Sequence, residues 1–251
     1  MTGFLGGRVA LVTGASAGIG EAAAIALAAA GATVVVVARR EDRLQALVSK
    51  IESTGGKALA MPGDVATESV AKGVIAATVQ RFGRLDVLVN SAGLIQSGNV
   101  ESSDTAYWRR LLEVNLLASL YTTQAAIAPM RAQGGGDIIN ISSTAGRRAS
   151  AAFPAYSTSK FGLTAMTEAT RQEVGRYGIR VCVLEPGATS TEVAEGIVDP
   201  AVRRAMQEHV GKEGALLPQD VAAAITFVLS LPPRANVSQL TIRPTIDTAP
   251  A

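Results

Sequence analysis

Arg8-Val9-Ala10-Leu11-Val12-Thr13-Gly14-Ala15-Ser16-Ala17-Gly18-Ile19-Gly20 runs from a short apolar strand, Arg8–Thr13, through a glycine-rich loop into a helical pattern, Ile19–Ala30, which Gly31 ends. The glycines permit a tight turn and let backbone approach a pyrophosphate, which the following helix N-terminus stabilises electrostatically. Their spacing from Gly14 to Gly20 is G-x-x-x-G-x-G rather than the G-x-G-x-x-G of the standard dinucleotide fingerprint, and the lysine of a P-loop is missing. Alone, such a loop is compatible with a plain tight turn. Placed between the first strand and helix of a βαβ unit, it favours dinucleotide binding.

The chain around this loop alternates short β-branched runs with longer helical patterns. Strands are predicted at Thr33–Ala38, Lys57–Met61, Leu85–Asn90, Asp137–Ser142, Ile179–Leu184 and Gln239–Ile242. Helices are predicted at Glu41–Ser53, whose Leu44, Leu47, Val48 and Ile51 share a face, and at Glu68–Phe82, Thr105–Arg131 and Ala155–Tyr177. Two shorter ones fall near Pro200–His209 and Gln219–Leu229. Near-continuous apolar strands such as Val34-Val35-Val36-Val37 imply burial on both faces, as in a parallel sheet covered by helices. This alternation means a doubly wound sheet or a barrel, and the glycine loop disfavours the barrel. The expectation is one α/β domain over residues 1–251: a Rossmann-type, doubly wound parallel sheet of about seven strands with helices on both faces. The long helices at 105–131 and 155–177 could extend past the sheet and pair with a second subunit.

Composition narrows the function. With 48% hydrophobic and 18% charged residues, the chain has ample material for a core and no disordered character. A net charge of +2 and 4% aromatic residues give no footprint for nucleic acid or a membrane surface. Cys182, the single cysteine, lies in the apolar run Val181–Leu184 and reads as a buried structural thiol in a reducing cytoplasm. His209, the single histidine, excludes multi-histidine metal sites and sits in a charged segment that reads as a solvated helix face. A hydrolase would need His209 to reach a serine, and no G-x-S-x-G elbow appears. No signal peptide is visible at the N-terminus, and the uncharged stretch Ala22–Ala38 changes pattern at Gly31, as two buried elements would and a membrane span would not.

The second strand ends in Val37-Ala38-Arg39-Arg40, where an acidic residue would hold a free ribose 2′-hydroxyl. Arginines there can instead bind a 2′-phosphate, which favours NADP over NAD and Arg39 over Arg40; the alternative is two surface charges opening a helix. Further along, Tyr156-Ser157-Thr158-Ser159-Lys160 begins a helix and places Tyr156 and Lys160 on one face, about 6 Å apart along the axis. A free tyrosine titrates near 10, and a neighbouring ammonium lowers that value toward usable proton exchange. Alone, such a pair is usually a solvated helix face.

Taken with Thr13 to Gly20, Asp64-Val65, Asn90-Ser91-Ala92-Gly93, Asn115, Ser143 and Pro186-Gly187, these residues closely resemble the short-chain dehydrogenase/reductase family. The resemblance runs from about Arg8 to Thr245, and Ser143 precedes Tyr156 by the family's usual thirteen positions. It implies an NADP(H)-dependent oxidoreductase in which Tyr156 is the acid/base. Lys160 would bind the nicotinamide ribose and hold down the tyrosine pKa, Ser143 would hydrogen-bond the substrate oxygen, and Asn115 would anchor a water relaying protons to Lys160. The resemblance further implies that Gly14, Ser16, Gly18, Ile19, Gly20, Arg39 and Arg40 bind the cofactor. Asp64 would meet the adenine amino group with Val65 beside it, and Asn90, Ala92 and Gly93 would line the adenine ribose. Thr189 and Thr191, after Pro186 and Gly187, would contact the carboxamide and nearby phosphate. No metal is implied.

Three departures stand out. Ser91 replaces the family's commoner asparagine, and Ala17 stands where many NADP-binding members carry a second basic residue. The ending Ser238–Thr245 lacks the Gly-Gly of 3-oxoacyl-carrier-protein reductases and is more similar to the subgroup that contains clavulanate-aldehyde reductases. The implied substrate is a small carbonyl or alcohol, with specificity in Leu94–Val100, in the loop after Ser143 and in the segment at about 192–213. Arg147 and Arg148 raise the idea of an anionic substrate, beside the plainer reading of solvated or subunit-contacting arginines. The implied assembly is a homo-oligomer, dimer or tetramer. The rival readings are a 3-oxoacyl-carrier-protein-type reductase and a non-catalytic NADP-binding sensor or scaffold.

Overall fold

The computed structural model describes residues 3–193, 197, 199–211 and 214–248, with the backbone alone for 205–207 and 209–211. Seven parallel strands are described: β1 (Val9–Thr13), β2 (Thr33–Ala38), β3 (Lys57–Pro62), β4 (Val87–Asn90), β5 (Gly136–Ile141), β6 (Ile179–Pro186) and β7 (Gln239–Ile242). They form one sheet in the order β3-β2-β1-β4-β5-β6-β7. The helices are α1 (Gly18–Ala29), α2 (Glu41–Ser53), α3 (Glu68–Phe82), α4 (Thr105–Leu112), α5 (Ala118–Ala132), α6 (Pro154–Val174), α7 (Pro200–Gly211) and α8 (Pro218–Ser230).

Residues one apart in a strand point to opposite faces, and here both faces are covered. Ala10, Val12, Val34 and Val36 pack with Leu27 of α1, Leu44 of α2 and Ile225 of α8. Their neighbours Leu11, Val35 and Val37 pack on the other face with Ile75 of α3, Ala126 of α5 and Val174 of α6. The uninterrupted valines of β2 are thus shared between two cores, as the sequence pattern required. Cys182 is buried in the first core, and burial pushes its thiol up to about 12, so it is inert packing. The uncharged stretch Ala22–Ala38 divides at Gly31 into α1 and β2, and no described helix is long and apolar enough to cross a membrane.

One predicted element differs in kind. The helix expected over Thr105–Arg131 is interrupted by a π-helical turn, Glu113–Leu117, between α4 and α5. Asn115, fully buried inside this turn, has its side chain bonded to Leu94 and Ser159 rather than pointing along a regular helix face. The helix expected to end at Tyr177 leaves α-geometry at Val174 and closes in a 3-10 turn, Gly175–Tyr177. Other ends move by a residue or two, the usual uncertainty of frayed termini. Part of the expected substrate segment (194–196, 198 and 212–213) lies outside the described residues, as does the side chain of His209.

Leaving β1, the chain builds β2 and β3 to one side; β4 returns to the other side of β1. This reversal opens a crevice at the carboxyl ends of β1 and β4, the position where open α/β sheets bind ligands.

Candidate active site

The two sides of the crevice are tied together by Thr13. Its buried hydroxyl accepts the N–H groups of Ser91 (3.1 Å) and Ala92 (3.2 Å), joining the end of β1 to the end of β4. Gly14 follows at φ +66°, and a Cβ there would stand 2.8 Å from the backbone of Ala92. At Gly18, φ +57°, a Cβ would press on the Thr191 methyl at 3.1 Å, so the loop also meets the segment after β6. These glycines are therefore dictated by neighbouring chain as well as by any ligand. Ala17, the N-cap of α1, has no side-chain acceptor, so its side chain caps none of the first-turn N–H groups. Asn90 steadies the sheet: its amide donates to Asn140 (2.8 Å) and accepts from Thr122 (2.7 Å).

At the end of β2, Arg39 is exposed, and among the described residues it makes no side-chain hydrogen bond. Arg40 is engaged: Nε and Nη2 donate to the Ser16 hydroxyl (3.2 and 3.0 Å), and Nη1 reaches Glu192 (3.2 Å). Arg43 holds the same carboxylate at 2.7 Å. The sequence reading missed Arg43 and Glu192, because their meeting spans 149 positions. Asp64 lies beyond β3 and accepts from Arg110 (2.8 Å) and from the N–H of Ala66 (3.0 Å). Burial works to raise its pKa, but those hydrogen bonds and the fields of Arg110 and Arg39 outweigh burial and hold the carboxyl below its ordinary value. The Val65 side chain is core and Ile19 packs against the core, so contact to a ligand from either falls mainly to the main chain.

Ser143 follows β5 and caps a short 3-10 turn, Thr144–Gly146, accepting from the N–H of Ala145 (3.1 Å). Tyr156 sits in the first turn of α6, which Pro154 initiates with its preset φ. Its half-buried ring packs in a small apolar cluster with Ile95, Phe153, Val193, Ile197 and Val202, drawn from three separate segments. Burial raises the phenol pKa, and the neighbouring Ser143 hydroxyl offsets only part of that rise. Lys160, one helical turn on, is buried, donates to the Ile141 carbonyl (2.8 Å) and lies 5.7 Å from the centre of the Tyr156 ring. Desolvation brings its own pKa down to about 8. Burial is the largest influence on both groups, and the Ser143 hydroxyl is a neighbour that favours phenolate.

Asn115 closes the floor. Its Oδ1 accepts from Leu94 (2.7 Å), and its Nδ2 donates to the Leu94 carbonyl (2.9 Å) and the Ser159 hydroxyl (2.9 Å). Both N–H groups are thus in use, and a water could draw only on the remaining acceptor capacity of Oδ1 or on the main chain. A Cβ on Gly93 would lie 3.6 Å from Asn115 Oδ1 and 3.8 Å from Lys160 Nζ, so these three residues converge. After β6, Gly187 donates to Ile242 (2.8 Å), and Thr189 donates to the Gly187 carbonyl (2.9 Å). Ser142, as its strand-end position suggests, is structural and bonds to Thr164 and the Lys160 carbonyl.

Arg147 is not a free substrate reader. Its Nε donates to both oxygens of Glu185 (3.1 and 2.9 Å), a carboxylate with no exposed surface. With Arg148 it lines a cavity of about 570 Å³ that Ser143, Tyr156 and Lys160 do not line. Glu185 was missed in the sequence, although a carboxylate closing the apolar run Val181–Leu184 is itself a signal.

Comparison with known proteins agrees with this geometry. The short chain dehydrogenase family matches residues 8–201. The chain is 33% identical to an uncharacterised oxidoreductase of Staphylococcus aureus over 237 residues, covering 94% of this chain and 97% of that one. It is 35% identical to a glycine betaine reductase of Emericella nidulans, covering 96% of this chain but only 19% of that much longer protein. A short chain dehydrogenase from Burkholderia cenocepacia, solved with NADP, superposes with a TM-score of 0.85 at 33% identity over 95% of this chain and 97% of that chain. A 7α-hydroxysteroid dehydrogenase solved with NADH and 7-oxo glycochenodeoxycholic acid gives 0.85 at 30% identity, over 95% of this chain and 93% of that chain. With a switch-point crevice, a glycine loop beside it and a Ser143, Tyr156 and Lys160 cluster at its rim, the chain belongs to the short-chain dehydrogenase family of oxidoreductases.

Proposed function

We propose that the protein transfers hydride between NADP(H) and a small aldehyde, ketone or hydroxy acid, or the corresponding alcohol, with Tyr156 as general acid/base. The observation that carries this reading is the meeting of the Tyr156 phenol with the Ser143 hydroxyl beside the buried Lys160 ammonium. The surroundings suit a nicotinamide dinucleotide: α1 begins without a side-chain cap at a glycine loop, and Lys160 has one hydrogen bond for three N–H donors.

The bound cofactor would supply the hydride acceptor or donor. The α1 N-terminus, with Gly14, Ser16, Gly18, Ile19 and Gly20, would hold its pyrophosphate. Asp64 and the main chain of Val65 would meet the adenine, and Asn90, Ala92 and Gly93 the adjoining ribose. Thr189 and Thr191, after Pro186 and Gly187, would take the nicotinamide end. Lys160 would use its remaining N–H groups on ribose hydroxyls. Ser143 would donate to the substrate oxygen as negative charge grows there. Tyr156, kept protonated at neutral pH by burial, would then deliver its proton to that oxygen, and in the reverse direction would take the hydroxyl proton away. Asn115 would keep Ser159 and Leu94 in place beneath them.

Arg39, exposed at the end of β2 with Arg40 beside it, supports the choice of NADP, as does the NADP complex of the Burkholderia protein; the NADH complex of the hydroxysteroid dehydrogenase is the opposing case. The apolar cluster around Tyr156 supports a small substrate with an apolar portion beside its reacting carbon, of the kind reduced by the subgroup with clavulanate-aldehyde reductases. An NADPH-coupled screen of aldehydes, ketones and hydroxy acids tests the reading, with turnover of at least one class expected. Arg39→Ala should weaken NADPH binding by about 10-fold, the scale of one charge-assisted hydrogen bond, and leave NADH unchanged. Equal catalytic efficiency of the wild type with NADH and NADPH would refute the cofactor assignment.

A further inference from the structure

Glu185 is completely buried at the end of β6, yet it is ionisable and takes no part in the proposed chemistry. Its oxygens collect four donors from three places in the fold: Arg147 from the turn after Ser143, Gln239 (2.7 Å) and Thr241 (2.9 Å) from β7, and Thr164 (3.4 Å) from α6. Thr241 is its register partner on the neighbouring strand, and Gln239 lies two residues away on the same face. Thr164 also bonds to the Ser142 hydroxyl (3.0 Å), which in turn reaches the carbonyl of Lys160 (3.2 Å).

Arg147 directly follows the turn that Ser143 caps. Gly146 inside that turn is pressed on α6 so closely that a Cβ would stand 2.9 Å from the Lys160 carbonyl and 2.9 Å from the Thr164 hydroxyl. The pair is buried on one side only, with Glu185 enclosed and Arg147 40% exposed, so it is a poor source of stability: desolvation of the carboxylate offsets an attraction that solvent also screens. What such a pair does supply is a fixed approach, because the Arg147 Nε–H is shared between both oxygens of a carboxylate that three further donors hold in place. We propose that Arg147 and Glu185 are positioning residues that hold the Ser143 turn against α6, setting the Ser143 hydroxyl at its place opposite Tyr156. This rests on the hydride-transfer reading. It also gives Arg147 a task at the site other than binding an anionic substrate.

Arg147→Met should lower kcat for carbonyl reduction by about 10- to 100-fold, the cost of misplacing a reacting group by a fraction of an ångström to an ångström. The carbonyl KM and the NADPH Kd, read by fluorescence titration, should stay within about twofold, since no binding group is lost. In a Ser143→Ala background the same change should cost much less than in the wild type, because the group to be positioned is gone. Arg147→Lys keeps the charge and should recover part of the rate. Glu185→Gln removes the buried charge and keeps the shape, so it covers the outcome in which Arg147→Met does not fold, and it should show the same kcat loss. Independently of turnover, amide exchange in residues 143–148 should quicken in Arg147→Met and Glu185→Gln. Full kcat with unchanged exchange in both variants would overturn the proposal, as would rate losses that multiply with Ser143→Ala. A wild type that reduces no carbonyl would refute hydride transfer instead, and the exchange measurement would still decide the positioning role.

Discussion

Tyr156 and Lys160 lie one helical turn apart, and burial moves their pKa values in opposite directions: the phenol up, the ammonium down to about 8. A buried lysine of this kind costs stability. The unfolded chain keeps the Lys160 proton up to about 10.5, whereas the folded protein releases it near 8, so between those values the unfolded state holds more protons. Stability on this account rises with pH through that window and is lower below it, by about 3 kcal/mol as an order of magnitude. Lys160→Met should therefore be the more stable protein at neutral pH and should flatten the rise; parallel denaturation midpoints of variant and wild type from neutral to alkaline pH would contradict this. The spacing of the two residues was legible in the sequence, and so was their pairing with Ser143. The balance of their titrations was not, because it depends on how deeply β5 and α6 bury them.

Among the elements, the strands were the most legible, since a run such as Val34–Val37 has no explanation except burial on two faces. The π turn at Glu113–Leu117 was not, because Asn115 takes its partners from Leu94 and Ser159, which are 21 and 44 positions away. The junction of β1 with β4 is of the same kind. Thr13 reads as one more β-branched strand residue, but its hydroxyl takes two N–H groups across 78 and 79 positions. Thr13→Val keeps the shape and orphans both donors, at about 1–3 kcal/mol for an unsatisfied buried group. It should lower the denaturation midpoint and weaken NADPH binding, since the crevice walls are no longer tied together. A variant that binds NADPH as the wild type does would show that the tie is irrelevant to the site.

At the scale of the molecule, the strand order puts the glycine loop, the β4 end and the segment after β6 around one crevice, and α6 brings Tyr156 and Lys160 to its rim. The proposed homo-oligomer, dimer or tetramer, belongs to this scale as well. It would draw on α4 and α6, which leave Tyr107 and Phe161 45% and 43% exposed. Phe161→Glu should shift sedimentation toward a monomer, and an unchanged profile would contradict those helices as the contact. The order of elements was readable beforehand, and the Ser143, Tyr156 and Lys160 set was named from the family resemblance. The pairings that cross the chain, Glu185 with Arg147 and Glu192 with Arg40 and Arg43, were not, because a charge's partner is set by topology rather than by local pattern. The most direct test of the central claim is the rate of NADPH-dependent carbonyl reduction in the wild type and in Tyr156→Phe, with NADPH affinity measured alongside. Turnover in the wild type, a loss of about 10²- to 10⁴-fold in Tyr156→Phe and unchanged NADPH affinity are predicted; a Tyr156→Phe enzyme that keeps the full rate would contradict the account.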